Sequence, residues 1–187
     1  MAGGSDGRFH CLSYGRSILA RMSMIGEYLR VTPDELTRAV SDPDWALELI
    51  EQIQDVEDEQ ELPPADARLF TTYKTWDMLG FLFRRFNFPV DVVHGEEPFA
   101  EDGDWGYGPP RFVPVERVGV AAREMSRVSY DDLIRRVGVG ELAEAKVYPL
   151  GWDSPGELDW ARGYYGDLAL FFAAAAACGQ AVIVWLD

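Results

Sequence analysis

The chain has 187 residues and a formal net charge of −15 at pH 7, with 48% hydrophobic, 26% charged and 13% aromatic residues. That length suits one domain with a real core, and the apolar content excludes disorder along the whole chain. The charge argues against nucleic acid and anionic membrane as partners and allows a basic protein.

The acidity is local. Residues 39–67 hold ten acids and residues 86–110 hold six, and neither stretch contains Lys or Arg, so the remainder is close to neutral. Residues 1–21 lack the apolar segment of a secretory signal and read as a poorly ordered extension ahead of a domain over 22–187. Cys11 and Cys178 stand far apart and fit no ligand pattern. Two lone cysteines without a signal suggest the reducing cytoplasm, with Cys178 as a small core residue.

Along the chain, 23–31 reads as a first strand. Thr32-Pro33-Asp34-Glu35 then starts a helix: Thr as N-cap, Pro at the first helical position, Glu closing a capping box. A second helix runs from Pro43, with Ala46, Leu49, Ile50, Ile53 and Val56 inward and acids outward. It should fray near Asp55, because acids disfavour a helix C-terminus. A third helix is expected over 73–85 with Trp76, Leu79, Leu82, Phe83 and Phe86 as its apolar set, then a short strand over 88–93 and an irregular segment over 95–110. A helix over 114–127 follows, then one over 130–137 capped by Ser129 and ended by Gly138. A helical turn over 141–146 and an extended 147–149 lead to a long helix opened by Ser154-Pro155. Residues 168–186 carry no charge and approach the length of a membrane span, but Gly179-Gln180 divides them into a buried helix and a buried strand over 181–186. The fold class is α/β (α+β): one compact domain with a small mixed sheet that includes the N- and C-terminal strands, packed by about six helices.

The chain shows no Gly-rich phosphate loop, no His-Glu-x-x-His and no Cys-x-x-Cys. Its two histidines, His10 and His94, are too few for a typical transition-metal site. No catalytic residue, metal ligand or cofactor is assigned. The sharpest local feature is the loop 103–111. Its glycines and prolines shape a rim on which Trp105, Tyr107 and Arg111 either face a ligand or plug the loop onto the core and neutralise nearby acids. Trp76 and Asp77, at the start of the third helix, either border a pocket beside that loop or serve packing and capping. The aromatic turn with Tyr148 and Trp152 carries the same two readings.

Four segments in this order carry a resemblance: Met22-Ser23-Met24-Ile25-Gly26, Lys74-Thr75-Trp76-Asp77, Gly106-Tyr107-Gly108-Pro109-Pro110-Arg111 and Tyr148-Pro149. Together they resemble the YfbM-like family, a bacterial domain family of unknown function, over about residues 22–187. The resemblance implies a compact α/β domain with a small sheet and implies no activity. Two positions depart from the family pattern. Val113 stands where members often place Thr, and Gly80 stands where they often carry His.

Two functions follow. The first is a non-catalytic acidic module that engages a basic protein, as immunity or inhibitor proteins do, through Asp55, Glu57, Asp58, Glu59, Glu61, Glu101, Asp102 and Asp104. The second is a small-ligand receptor or enzyme with a pocket walled by Trp76, Tyr107, Arg111, Tyr148 and Trp152. The lack of His and Cys at these places favours the first. The sequence leaves the oligomeric state open.

Overall fold

A computed structural model describes residues 23–100 and 105–187. The expected extension over 1–21, and Glu101, Asp102 and Asp104, lie outside the described residues. The sheet has five strands in the order β2-β1-β5-β4-β3: β1 (Gly26–Val31), β2 (Leu69–Tyr73), β3 (Glu97–Pro98), β4 (Arg111–Val113) and β5 (Ala181–Leu186). The N- and C-terminal strands lie side by side near its centre, with Gly26 opposite Leu186 and Val31 opposite Ala181. Every pairing is antiparallel, so the expected mixed sheet is corrected to an antiparallel one.

Both faces of the sheet are covered, and β5 shows why its sequence is apolar at successive positions. Val182 and Val184 face one core, and Ala181 and Ile183 the other. The larger core lies under α3 (Trp76–Phe86), α4 (Val115–Met125), α5 (Tyr130–Ile134), α6 (Val139–Glu144) and α7 (Arg162–Ala177). The smaller one lies under α1 (Pro33–Ser41) and α2 (Pro43–Glu57) and is completed by Phe99 and Trp105.

Local chemistry explains the element ends. The Thr32 hydroxyl accepts from Glu35 N at 3.2 Å, and the Glu35 carboxylate accepts from Thr32 N at 2.8 Å, closing the capping box of α1. Asp42 caps α2 through Trp45 N at 3.2 Å. After α7, Gly179 takes a φ of +63°, Gln180 N donates to Ala175 O at 2.9 Å and Gly179 N to Ala176 O at 3.2 Å. This is the paired closure of a left-handed C-cap.

Several expectations are corrected. Residues 88–93 form turns rather than a strand, while β2 and β4 arise where none was expected. α2 continues past Asp55 to Glu57, with Val56 exposed. The opening at Ser154-Pro155 gives only a 3-10 turn, Pro155–Asp159, before α7 begins. Phe86 is 41% exposed, and Cys178 is an exposed free thiol rather than a core residue. No helix among the described residues is long and apolar enough to cross a membrane.

Candidate functional site

Described parts of the four segments that carry the resemblance meet at one end of the sheet. Ile25 N donates to Asp187 O at 2.8 Å and Asp187 N to Ile25 O at 2.9 Å, extending the β1–β5 ladder by a residue. Tyr107 N donates to Leu186 O at 2.8 Å. Gly106, at φ +119°, is required there, because a Cβ would overlap Leu186 O. On the other side a Cβ at Gly26 would collide with Thr72 Oγ1 and stand 2.7 Å from Trp76 Cβ. Close approach of backbone to backbone at Gly106, and of backbone to side chains at Gly26, explains both glycines without any ligand.

Trp76 opens α3 and is almost wholly buried. Its indole N–H donates to Met24 O at 3.1 Å, and its ring stacks on Tyr148 at 5.8 Å and meets His94 edge-on at 6.0 Å. The Tyr148 hydroxyl accepts from Met24 N at 3.3 Å, and Asp77 Oδ2 accepts from Tyr148 N at 2.9 Å. Arg84 approaches Asp77 at 3.7 Å. Trp76, Asp77 and Tyr148 therefore share one cluster, whose polar atoms tie the start of β1, α3 and the 147–149 segment together.

His94 borders this cluster. Asp91 Oδ1 accepts from His94 N at 2.9 Å and Val93 N at 3.2 Å, and His94 Nδ1 lies 3.3 Å away. Partial burial opposes ionisation of Asp91, but hydrogen bonds from the His94 side chain and backbone hold its carboxyl below the usual range. Gly80, where the resemblance implies His, lies beneath that ring: a Cβ there would be 3.4 Å from His94 Cε1.

The remaining ligand-binding candidates go elsewhere. Trp105 is buried on the opposite face of the sheet, edge-on to Phe99 at 5.2 Å and Trp185 at 5.7 Å. Arg111 donates from Nε to Gly95 O at 3.2 Å and from its terminal nitrogen to Glu96 O at 2.6 Å, so its guanidinium holds backbone carbonyls. Trp152 is buried, with its N–H on Val147 O at 2.8 Å. Tyr107 is 42% exposed. The structure does not gather these side chains around one cavity. Cavities open instead beside Trp152 and Trp160, at about 160 Å³, and between the end of α3 and α5, at about 410 Å³.

The acidic candidates divide as well. Asp44, Glu48, Glu51, Asp55 and Asp58 follow one another at spacings of three or four, which places them in one stripe about 21 Å long at 1.5 Å per residue. All are exposed, and among the described residues none of them forms an ion pair or side-chain hydrogen bond. Glu59 and Glu61 continue the exposed acidity beyond the helix. Glu57 points inward on the helical period, and its carboxylate accepts from Arg68 N at 2.7 Å and Leu69 N at 3.1 Å. It thereby anchors the start of β2.

Glu27 was missed by sequence reading. On β1 it stands between Thr71 and Trp185. Burial, opposed by a hydrogen bond from Thr71 and reinforced by Asp187, pushes its carboxyl up to about 7. The one signal was a lone acid in a strand that is otherwise buried at nearly every position.

A family model described as "Domain of unknown function (DUF1877)" matches residues 22–185. The fold is similar to a solved structure titled as a protein of unknown function, YfbM from Escherichia coli. The TM-score is 0.59 and the identity 16%, over 88% of this chain and all of that one. No curated protein matches the chain. With the family model covering most of its length, this chain belongs to the DUF1877 family, as a YfbM-like domain of unknown function.

Proposed function

We propose that the chain is a non-catalytic cytoplasmic module that holds a basic protein partner against the outer face of α2, as an immunity or inhibitor protein does. The observation that carries this reading is the uncompensated stripe of Asp44, Glu48, Glu51, Asp55 and Asp58. Like charges at this spacing each cost a helix about 0.2–0.5 kcal/mol. Elsewhere among the described residues some exposed acids meet arginine, as in Arg127–Glu124 at 3.0 Å and Arg162–Asp159 at 2.7 Å, and those that do not, such as Asp34 and Asp167, stand singly rather than in a stripe. A stripe left open supports a partner that brings the cations, and an acidic surface raises the association rate of such a partner. Leu47, 38% exposed, borders the stripe and adds apolar contact. The small-ligand alternative has less support, because its candidate side chains do not line a common cavity.

The test is capture from a lysate of the native host on the immobilised full chain, beside a variant with Asp55, Asp58 and Glu59 changed to Lys and Glu57 retained. A basic protein should bind at low salt and be released by added salt. The variant should not capture it. Absence of any basic protein at low salt, or capture that ignores both salt and reversal, would overturn the proposal.

A further inference from the structure

The largest contrast with the acidic surface lies at the cavity between α3 and α5. Its lining is Arg85 and Phe86 from the end of α3, Asp132 and Leu133 from α5, and Arg135, Arg136 and Val137 from the turn after α5. In a chain of net charge −15, three guanidiniums thus share one concavity with a single carboxylate. That carboxylate is already engaged. Asp132 caps α5 through Ser129 and pairs with Arg135, and the hydrogen bonds from Ser129 hold its carboxyl below the usual range. Arg85 reaches Glu141, outside the lining, at 3.0 Å while staying 54% exposed. Arg136 has no hydrogen-bond or ion-pair partner among the described residues.

The apolar part of the cavity is as informative as the charge. Leu133 and Val137, both buried, and Phe86, 41% exposed, supply its apolar lining. Helix-end arginines by themselves need only complement the macrodipole. That role does not account for a concavity of about 410 Å³ beside them, a volume in the range of small-molecule sites. Guanidinium forks match the oxygens of phosphate in pairs. A phosphate monoester carries close to two charges at neutral pH and offers three oxygens, so it can engage arginines from both sides at once. A monocarboxylate offers only two oxygens and a single charge.

We propose that this cleft binds a small phosphate monoester bearing a ring, with the phosphate on Arg85, Arg135 and Arg136 and the ring against Phe86 above Leu133 and Val137. The proposal is independent of the α2 reading, since it uses a different surface and the opposite charge.

The test is calorimetric titration of the full chain with adenosine 5′-monophosphate, inorganic phosphate and adenosine at low salt. The monophosphate should bind at one site and more tightly than either fragment. Arg136→Ala and Arg85→Ala should each weaken it by about tenfold or more, the loss expected for a charge-assisted contact. Arg123→Ala, outside the cavity, should leave it unchanged and so controls for net charge. Phe86→Ala should weaken the monophosphate and leave inorganic phosphate unaffected. Circular dichroism of each variant separates loss of binding from loss of fold, and these side chains are exposed enough for the fold to survive. No binding of the monophosphate at millimolar concentration would overturn the proposal. So would equal losses in Arg136→Ala and Arg123→Ala, or inorganic phosphate binding as tightly as the monophosphate.

Discussion

The two acid-rich, Lys- and Arg-free stretches look alike in composition but stand differently in the fold. In 86–110, two of the three described acids, Asp91 and Glu96, hold structure, while Glu97 on β3 faces solvent. Asp91 receives two backbone N–H groups and faces His94, and Glu96 takes Arg117 through both oxygens at 2.6 Å. In 39–67, only Asp42 and Glu57 do comparable work, and the stripe on α2 faces solvent unanswered. Charge density alone therefore says little about partners. What separates the stretches is whether each carboxylate already has its donors.

That comparison can be sharpened with carboxylates ranked by how firmly the fold holds them. The largest effect should come from Glu27, which belongs to neither stretch. Its folded pKa, about 7, lies above the unfolded value, so the folded state favours the protonated form. The associated stability is complete below the unfolded pKa and is lost as pH rises through about 7. Chemical denaturation from pH 4.5 to 7.5 should show wild type losing about 3 kcal/mol relative to Glu27→Gln across that window. Parallel curves would contradict the assignment.

Glu96→Gln comes next. Removing the charge from a partly buried, two-point contact with Arg117 should cost about 1 kcal/mol in urea unfolding. A neutral result would place Glu96 with the solvated acids and weaken the contrast. Asp55→Lys should have the smallest effect and the opposite sign. It relieves repulsion from Glu51 and Asp58 and puts a cation near a helix C-terminus, a gain of about 0.5 kcal/mol. A measurable loss would mean that Asp55 has a structural partner after all.

The sequence made legible those elements whose signals are local. The capping box at Thr32, the helical period of α2, and the Gly179 turn into β5 are each specified by residues within a few positions of one another. β2 and β4 were not legible, because Leu69–Tyr73 is half exposed with two adjacent threonines and Arg111–Val113 is three residues long. Each becomes a strand only because a neighbour supplies the ladder. The candidate site shows the same limit. Trp76, Asp77 and Tyr148 were singled out and do meet, but Trp105 crosses to the other face because Gly106 and Tyr107 lock the loop onto Leu186. Loop side chains have no period from which to read a face. The duty of Glu57 was hidden for a related reason: its partners are backbone N–H groups at the start of β2, a strand that sequence reading did not foresee.

The claim that the α2 stripe is free while its inward neighbour is not rests most directly on one pair of unfolding measurements. Urea unfolding of Glu57→Lys should show a loss of about 2 kcal/mol or more, because two backbone N–H groups lose a charged acceptor. The triple variant Asp55→Lys, Asp58→Lys, Glu59→Lys should stay within about 0.5 kcal/mol of wild type or gain slightly. A destabilised triple variant beside a neutral Glu57→Lys would contradict the assignment of these carboxylates and remove the basis for a partner at this face.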